Sequence, residues 1–97
     1  MILILGAIVA RADSLDELRH ESLAHVGRSR MEDGCISHAV HIDCENSRRL
    51  VFVERWRDSA ALDQHFAQPG SGEFVAAVRR LAEATEGMTI YDSTALS

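Results

Sequence analysis

The chain opens with MILILGAIVA, ten residues without a charge. A secretory signal would carry a positively charged start, and a bilayer-spanning helix needs roughly 20 apolar residues. Neither description fits, so Met1 to Ala12 reads as a β-strand. Successive side chains of a strand point to opposite faces, and here both sets are apolar. A strand of this kind needs a cover on each side of its sheet.

Two alternating runs come later. In CISHAVHI, Ile36, His38, Val40 and Ile42 share one face, and Cys35, Ser37, Ala39 and His41 share the other. In RRLVFVERW, Leu50, Phe52, Glu54 and Trp56 lie opposite Val51, Val53 and Arg55. The intervening DCENS is rich in turn formers, so the pair predicts a hairpin. The flanking segments have a helical period instead. Asp13 or Ser14 can cap a helix over 14–30, with Asp16 and Glu17 where the helix dipole favours acids. Its inward stripe is Leu15, Leu18, Ser22, Val26 and Ser29, with His25 at the edge. Asp58 or Ser59 can cap a short helix bearing Ala61, Leu62, His65 and Phe66. QPGSG is expected to break that helix. Phe74, Ala77, Val78 and Leu81 then form a third stripe, expected to end near Thr85, and GMTIYDST reads as a fourth strand.

The order β-α-β-β-α-α-β predicts an α+β, ferredoxin-like fold: a four-stranded antiparallel sheet with helices on one face. The second sheet face still needs a cover, and another copy of the chain is the simplest one, giving a sheet-on-sheet homodimer. Ninety-seven residues form one domain, 1–97, with room for a single core. A net charge of −5 and no basic stripe with interleaved aromatics exclude nucleic acid as a partner. No membrane association is expected. Cys35 and Cys44 form neither a disulfide framework nor a CxxC pattern, so they read as free thiols of a cytoplasmic protein.

Candidate chemistry centres on three residues of VFVERWRDSAALDQHF. His65, amid Ala61, Leu62 and Phe66, is a desolvated imidazole, either a general base in a cleft or a core histidine bonded to a carbonyl. Glu54 is either a perturbed carboxyl or the partner of Arg11 or Arg49. Trp56 is either core or a flat wall for a planar ligand. His38 is a further candidate, with a packed, satisfied histidine as its alternative. No metal ligated by the protein is expected. His38 and His41 point to opposite faces, His20 and His25 diverge by roughly 140° on a helix, and there is no HExxH. Arg79 and Arg80 fall off the third apolar stripe.

EDGCISHAVHID, RRLVFVERWRDSAALDQHFAQP and GEFVAAVRRL together resemble the antibiotic biosynthesis monooxygenase family. That family includes quinol monooxygenases and a relative that processes autoinducer-2 phosphate. The resemblance rests on Gly34-Cys35, Glu54-Arg55-Trp56, Ala61-Leu62-Asp63-Gln64-His65 and Pro69. It implies a dimeric α/β barrel and a pocket between helices and sheet lined by Trp56, His65, His38, Phe52 and Phe74. Glu54, Ser22 and Phe66 are added as substrate contacts. It also implies oxidation of a small aromatic or quinol-type substrate by O2 without metal or flavin, with His65 as base or oxyanion partner and Trp56 as the stacking wall. His38 stands where the family commonly has an aromatic. Haem degradation is disfavoured, because strand one lacks an asparagine and GEFVAAVRRL lacks a histidine. Two alternatives stand beside the oxygenase. One is a dimeric binding domain without chemistry. The other is an isomerase or detoxification enzyme for a small phosphorylated or carbonyl metabolite, which would need Arg48, Arg49 or Arg79 to face the pocket.

Overall fold

In the computed structural model, which describes residues 1–97, the apolar run becomes β1 (Ile2–Ala10) at an inner position of the sheet. The remaining elements are α1 (Leu15–Ser29), β2 (Cys35–Asp43), β3 (Asn46–Trp56), α2 (Ser59–Ala67), α3 (Pro69–Leu81) and β4 (Ala82–Asp92). The strands lie in the order β2-β3-β1-β4, each antiparallel to its neighbours. This is the ferredoxin-like α+β arrangement predicted above. The helices cover the face carrying Ile4, Ile8, Phe52 and Trp56. On the other face no element covers the sheet, and Leu5 and Tyr91 are 41% and 45% exposed.

The interior is divided. A larger cluster joins Ile8, Leu50 and Phe52 of the sheet to Leu18 and Val26 of α1 and Ala77 and Leu81 of α3. A smaller one joins Ile2, Ile4 and Trp56 to Ala61 and Leu62 of α2. Glu54 falls between them on β3, and His38 is its register partner on β2. Ser22, His25 and His65 are buried as well.

Three local features depart from the expectation. Cys35 pairs with Trp56 and Ser37 with Arg55, so β2 carries one extra residue, Ile36. This bulge turns Cys35 to the helix side, where it packs on the smaller cluster, and leaves Ile36 56% exposed. Second, the break at QPGSG shrinks to Gln68, which is extended, and Pro69 opens α3 at once. Proline suits a first helical position because its missing N–H would be unpaired there anyway. Ser71 Oγ secures this turn by donating to the His65 carbonyl at 2.6 Å. Third, α3 ends at Leu81 rather than near Thr85, because Ala82 pairs with Ala10 and begins β4. Sheet pairing overrides the helix-compatible sequence AEATE.

The caps behave differently from one another. Asp58 accepts the Ala61 N–H at 2.9 Å, as a cap should. Ser14 precedes α1, but its hydroxyl donates to the Leu81 carbonyl at 2.5 Å and ties the start of α1 to the end of α3. Arg80 pairs with Glu17 at the same junction.

Candidate ligand site

Strand alternation sends Phe52, Glu54 and Trp56 of β3 toward the helices. Trp56 is fully enclosed, and its indole N–H donates to Glu54 Oε1 at 3.0 Å. Burial pushes the Glu54 carboxyl above its ordinary pKa, while the Trp56 bond and the charge of His65 act against that rise. The expected ion pair of Glu54 with Arg11 or Arg49 does not form. Arg11 binds Asp13 and the Arg80 carbonyl, and Arg49 binds Asp43 and Glu86.

Behind Glu54 three imidazoles gather. His38 Nε2 lies 3.5 Å from Glu54 Oε2, yet neither ring nitrogen of His38 has a hydrogen-bond partner. Burial first, then the charges of His25, His65 and Arg30, lower its pKa to about 3. The His38–Glu54 contact is therefore between a neutral imidazole and a carboxyl, not an ion pair. His65 on α2 lies 4.5 Å, ring to ring, from Trp56, and its Nδ1 meets Glu32 Oε1 at 2.9 Å. His25 on α1 stacks on Phe74 at 4.3 Å, and its ring is 5.3 Å from both His38 and His65. Burial, then the charges of His65 and Arg28, lower its pKa to about 4. Ser22 Oγ is buried beside this group without a partner. No three histidine, cysteine or acidic side chains are arranged to hold a metal ion.

A cleft of about 280 Å³ opens between α3 and the β1–β4 half of the sheet. Its floor is Gly6, Ile8, Phe52 and Glu54, and its walls include Val75, Val78, Arg79 and Met88. Of the residues expected to line a pocket, Phe52 and Glu54 do so. Trp56, His38, His65, Phe74 and Ser22 pack behind them. Phe66, also expected at the ligand, is 45% exposed on the outer side of α2, 5.7 Å from the His65 ring. Arg79, which the stripe had excluded, lines the cleft. The stripe faces the core, whereas the cleft lies against the flank of α3 nearer β4, which Val75 and Arg79 occupy.

Sequence reasoning missed three residues. Arg79 was legible only by asking which residues flank the stripe of α3. His25 had one signal, its place at the edge of the inward face of α1. Glu32 had none, since it lies in the connection after α1 and meets His65 only through the tertiary fold.

A ferredoxin-like sheet with a buried carboxyl facing an apolar cleft is an α+β arrangement suited to a small ligand. Residues 1–80 match the family described as antibiotic biosynthesis monooxygenase, and the chain belongs to that family. The uncharacterized protein sll1783 of Synechocystis is 38% identical over 74 residues, 76% of this chain. The chain spans about half the length of that relative, 50% of it. A Deinococcus radiodurans structure bearing the same family name superposes with a TM-score of 0.93 at 24% identity, covering 100% of this chain and 96% of that one. At that identity the likeness speaks for the fold. Rv0793 of Mycobacterium tuberculosis matches with a TM-score of 0.88 at 26% identity, covering 97% and 95%.

Proposed function

We propose that the protein oxidises a small aromatic or quinol-type substrate with O2 in this cleft, using no metal or flavin. The observation that carries the proposal is Glu54, a buried carboxyl held by the Trp56 N–H and facing an apolar cleft. Family membership supports it. Glu54 takes the proton of the substrate hydroxyl. The resulting anion gives one electron to O2, the radical pair joins as a C–O bond, the peroxide anion takes the proton back from Glu54, and the hydroperoxide loses water to leave a ketone or quinone. One oxygen atom ends in the product and the other in water. His65, held by Glu32 and near enough to act on the Glu54 charge, is the supporting base. His38 sits beside Glu54 in the same role, and Trp56 positions the carboxyl. The same proposal pairs two copies through the uncovered sheet face and places the protein in the cytoplasm. No helix is long and apolar enough to cross a membrane.

Oxygen uptake against a panel of hydroquinones, naphthols and anthrones tests this. Uptake above autoxidation is expected, lost in Glu54→Gln and in His65→Ala. Undiminished turnover in both variants refutes the assigned roles, and tight binding without any uptake leaves a binding domain. Arg79 favours one other reading: a guanidinium in the cleft is what an isomerase or detoxification enzyme for an anionic carbonyl metabolite requires.

A further inference from the structure

Only two of the 11 residues lining the cleft carry ionisable side chains, and they sit at different depths. Glu54 is on the floor, 8% exposed, with Oε1 occupied by the Trp56 N–H. Arg79 is exposed at the mouth, on α3. The remaining walls are largely apolar, from Ile8, Phe52, Val75, Val78 and Met88.

Arg79 differs from most arginines of this chain. Eight of the ten, namely 11, 28, 30, 48, 49, 55, 57 and 80, donate to a carbonyl, hydroxyl or carboxylate elsewhere in the fold. Its neighbour Arg80 is tied to Glu17. Arg79 has no such partner, so its five N–H donors are free at the entrance of a cavity whose lining supplies no other positive charge.

We infer that the cleft is built for a substrate with a carboxylate at one end and its reacting hydroxyl at the other, and that Arg79 reads the carboxylate. This rests on reading the cleft as the ligand site. The guanidinium fork matches a carboxylate in two parallel hydrogen bonds. The buried Glu54 carboxyl, the one ionisable group on the floor, suits a hydroxyl at the inner end. About 280 Å³ is at the small end of ligand sites and admits one or two fused rings.

Calorimetry on the full chain with two probes of one scaffold tests this. 6-Hydroxy-2-naphthoate has both ends, and 2-naphthol lacks the carboxylate. At low salt the naphthoate should bind about tenfold more tightly, and the preference should shrink as salt is added. Arg79→Gln should erase the preference, Arg79→Lys should restore part of it, and Arg80→Gln should leave it intact. Arg79 has no partner in the fold to lose, so the two Arg79 variants keep the structure. Equal binding of both probes to the wild type, or a preference that survives Arg79→Gln, overturns the inference. Oxygen uptake with both probes separates the two proposals. Arg79-dependent binding without uptake keeps this inference and removes the oxygenase. Uptake with 2-naphthol and no preference for the naphthoate does the reverse. Failure of both probes to bind removes both.

Discussion

Acid should destabilise this protein through its buried imidazoles, and replacing one of them should blunt the effect by a calculable amount. An unperturbed histidine titrates near 6.5, whereas burial lowers His25 to about 4 and His38 to about 3. Both shifts are depressions of a base. The stability they carry is therefore complete above 6.5 and is lost as the pH falls from there toward the folded values, because only the unfolded chain takes up the proton. Between about pH 7.5 and 5 the loss is about 2 kcal/mol for each histidine, or about 4 kcal/mol together. Total stabilities of domains run about 5–15 kcal/mol. Glu54 acts in the opposite sense, since its raised carboxyl is protonated more readily in the folded state. That term is present in wild type and variant alike. His38→Leu removes one of the two imidazoles. Neither of its ring nitrogens has a partner, so the change breaks no hydrogen bond and should cost less than about 1 kcal/mol near neutral pH. Urea unfolding across this pH range should show the variant losing about 2 kcal/mol less than the wild type. Parallel losses in the two proteins would refute the assignment of His38 as a depressed, unprotonated group.

Other perturbations have equally direct readouts. Trp56→Phe removes the donor to Glu54, so thermal unfolding should show a loss of about 1–3 kcal/mol. In the same variant the alkaline shift of the pH–rate profile follows from a carboxyl that titrates higher. Gly34 has φ +81°, and a Cβ there would stand 2.4 Å from the Ala61 Cβ, so Gly34→Ala should cost on the order of 1–3 kcal/mol in calorimetry. An unchanged transition temperature would show that the turn relaxes. Asp58→Ala strips the cap of α2 and should cost about 1 kcal/mol by urea unfolding, with no change in ligand affinity.

The sheet, the helices and the meeting of Trp56 with His65 were all legible, because each rests on a period or a cap that one segment carries by itself. Alternation in RRLVFVERW placed Glu54 and Trp56 on one face, and helical spacing placed His65 inward on the next element. Features set by two segments together were not legible. Ile36 bulges because β2 must match the register of β3, and nothing in CISHAVHI marks the extra residue. Helix α3 stops at Leu81 because β1 offers Ala82 a partner, although the next residues would tolerate a helix. Arg79 was set aside by a rule that locates the core. A cleft beside a helix is lined by the flank of the apolar stripe, and the rule says nothing about that flank. The partner of Glu54 was misread for a related reason. A buried carboxyl suggests an arginine, but the indole two residues along the same strand face was already in reach.

The divided interior has a consequence for how the molecule opens. The free energy of a local opening follows the contacts and apolar surface given up, and α2 contributes only Ala61 and Leu62 to the smaller cluster. It can therefore lift without exposing Leu18, Leu50 or Leu81, which belong to the larger one. Two polar latches resist this: Glu32 on the His65 ring and the Ser71 hydroxyl on the His65 carbonyl. Amides of α2 should thus exchange with solvent through a sub-global step, while those of β1 and β3 wait for complete unfolding. His65, which the proposed reaction uses beside Glu54, rides on this element.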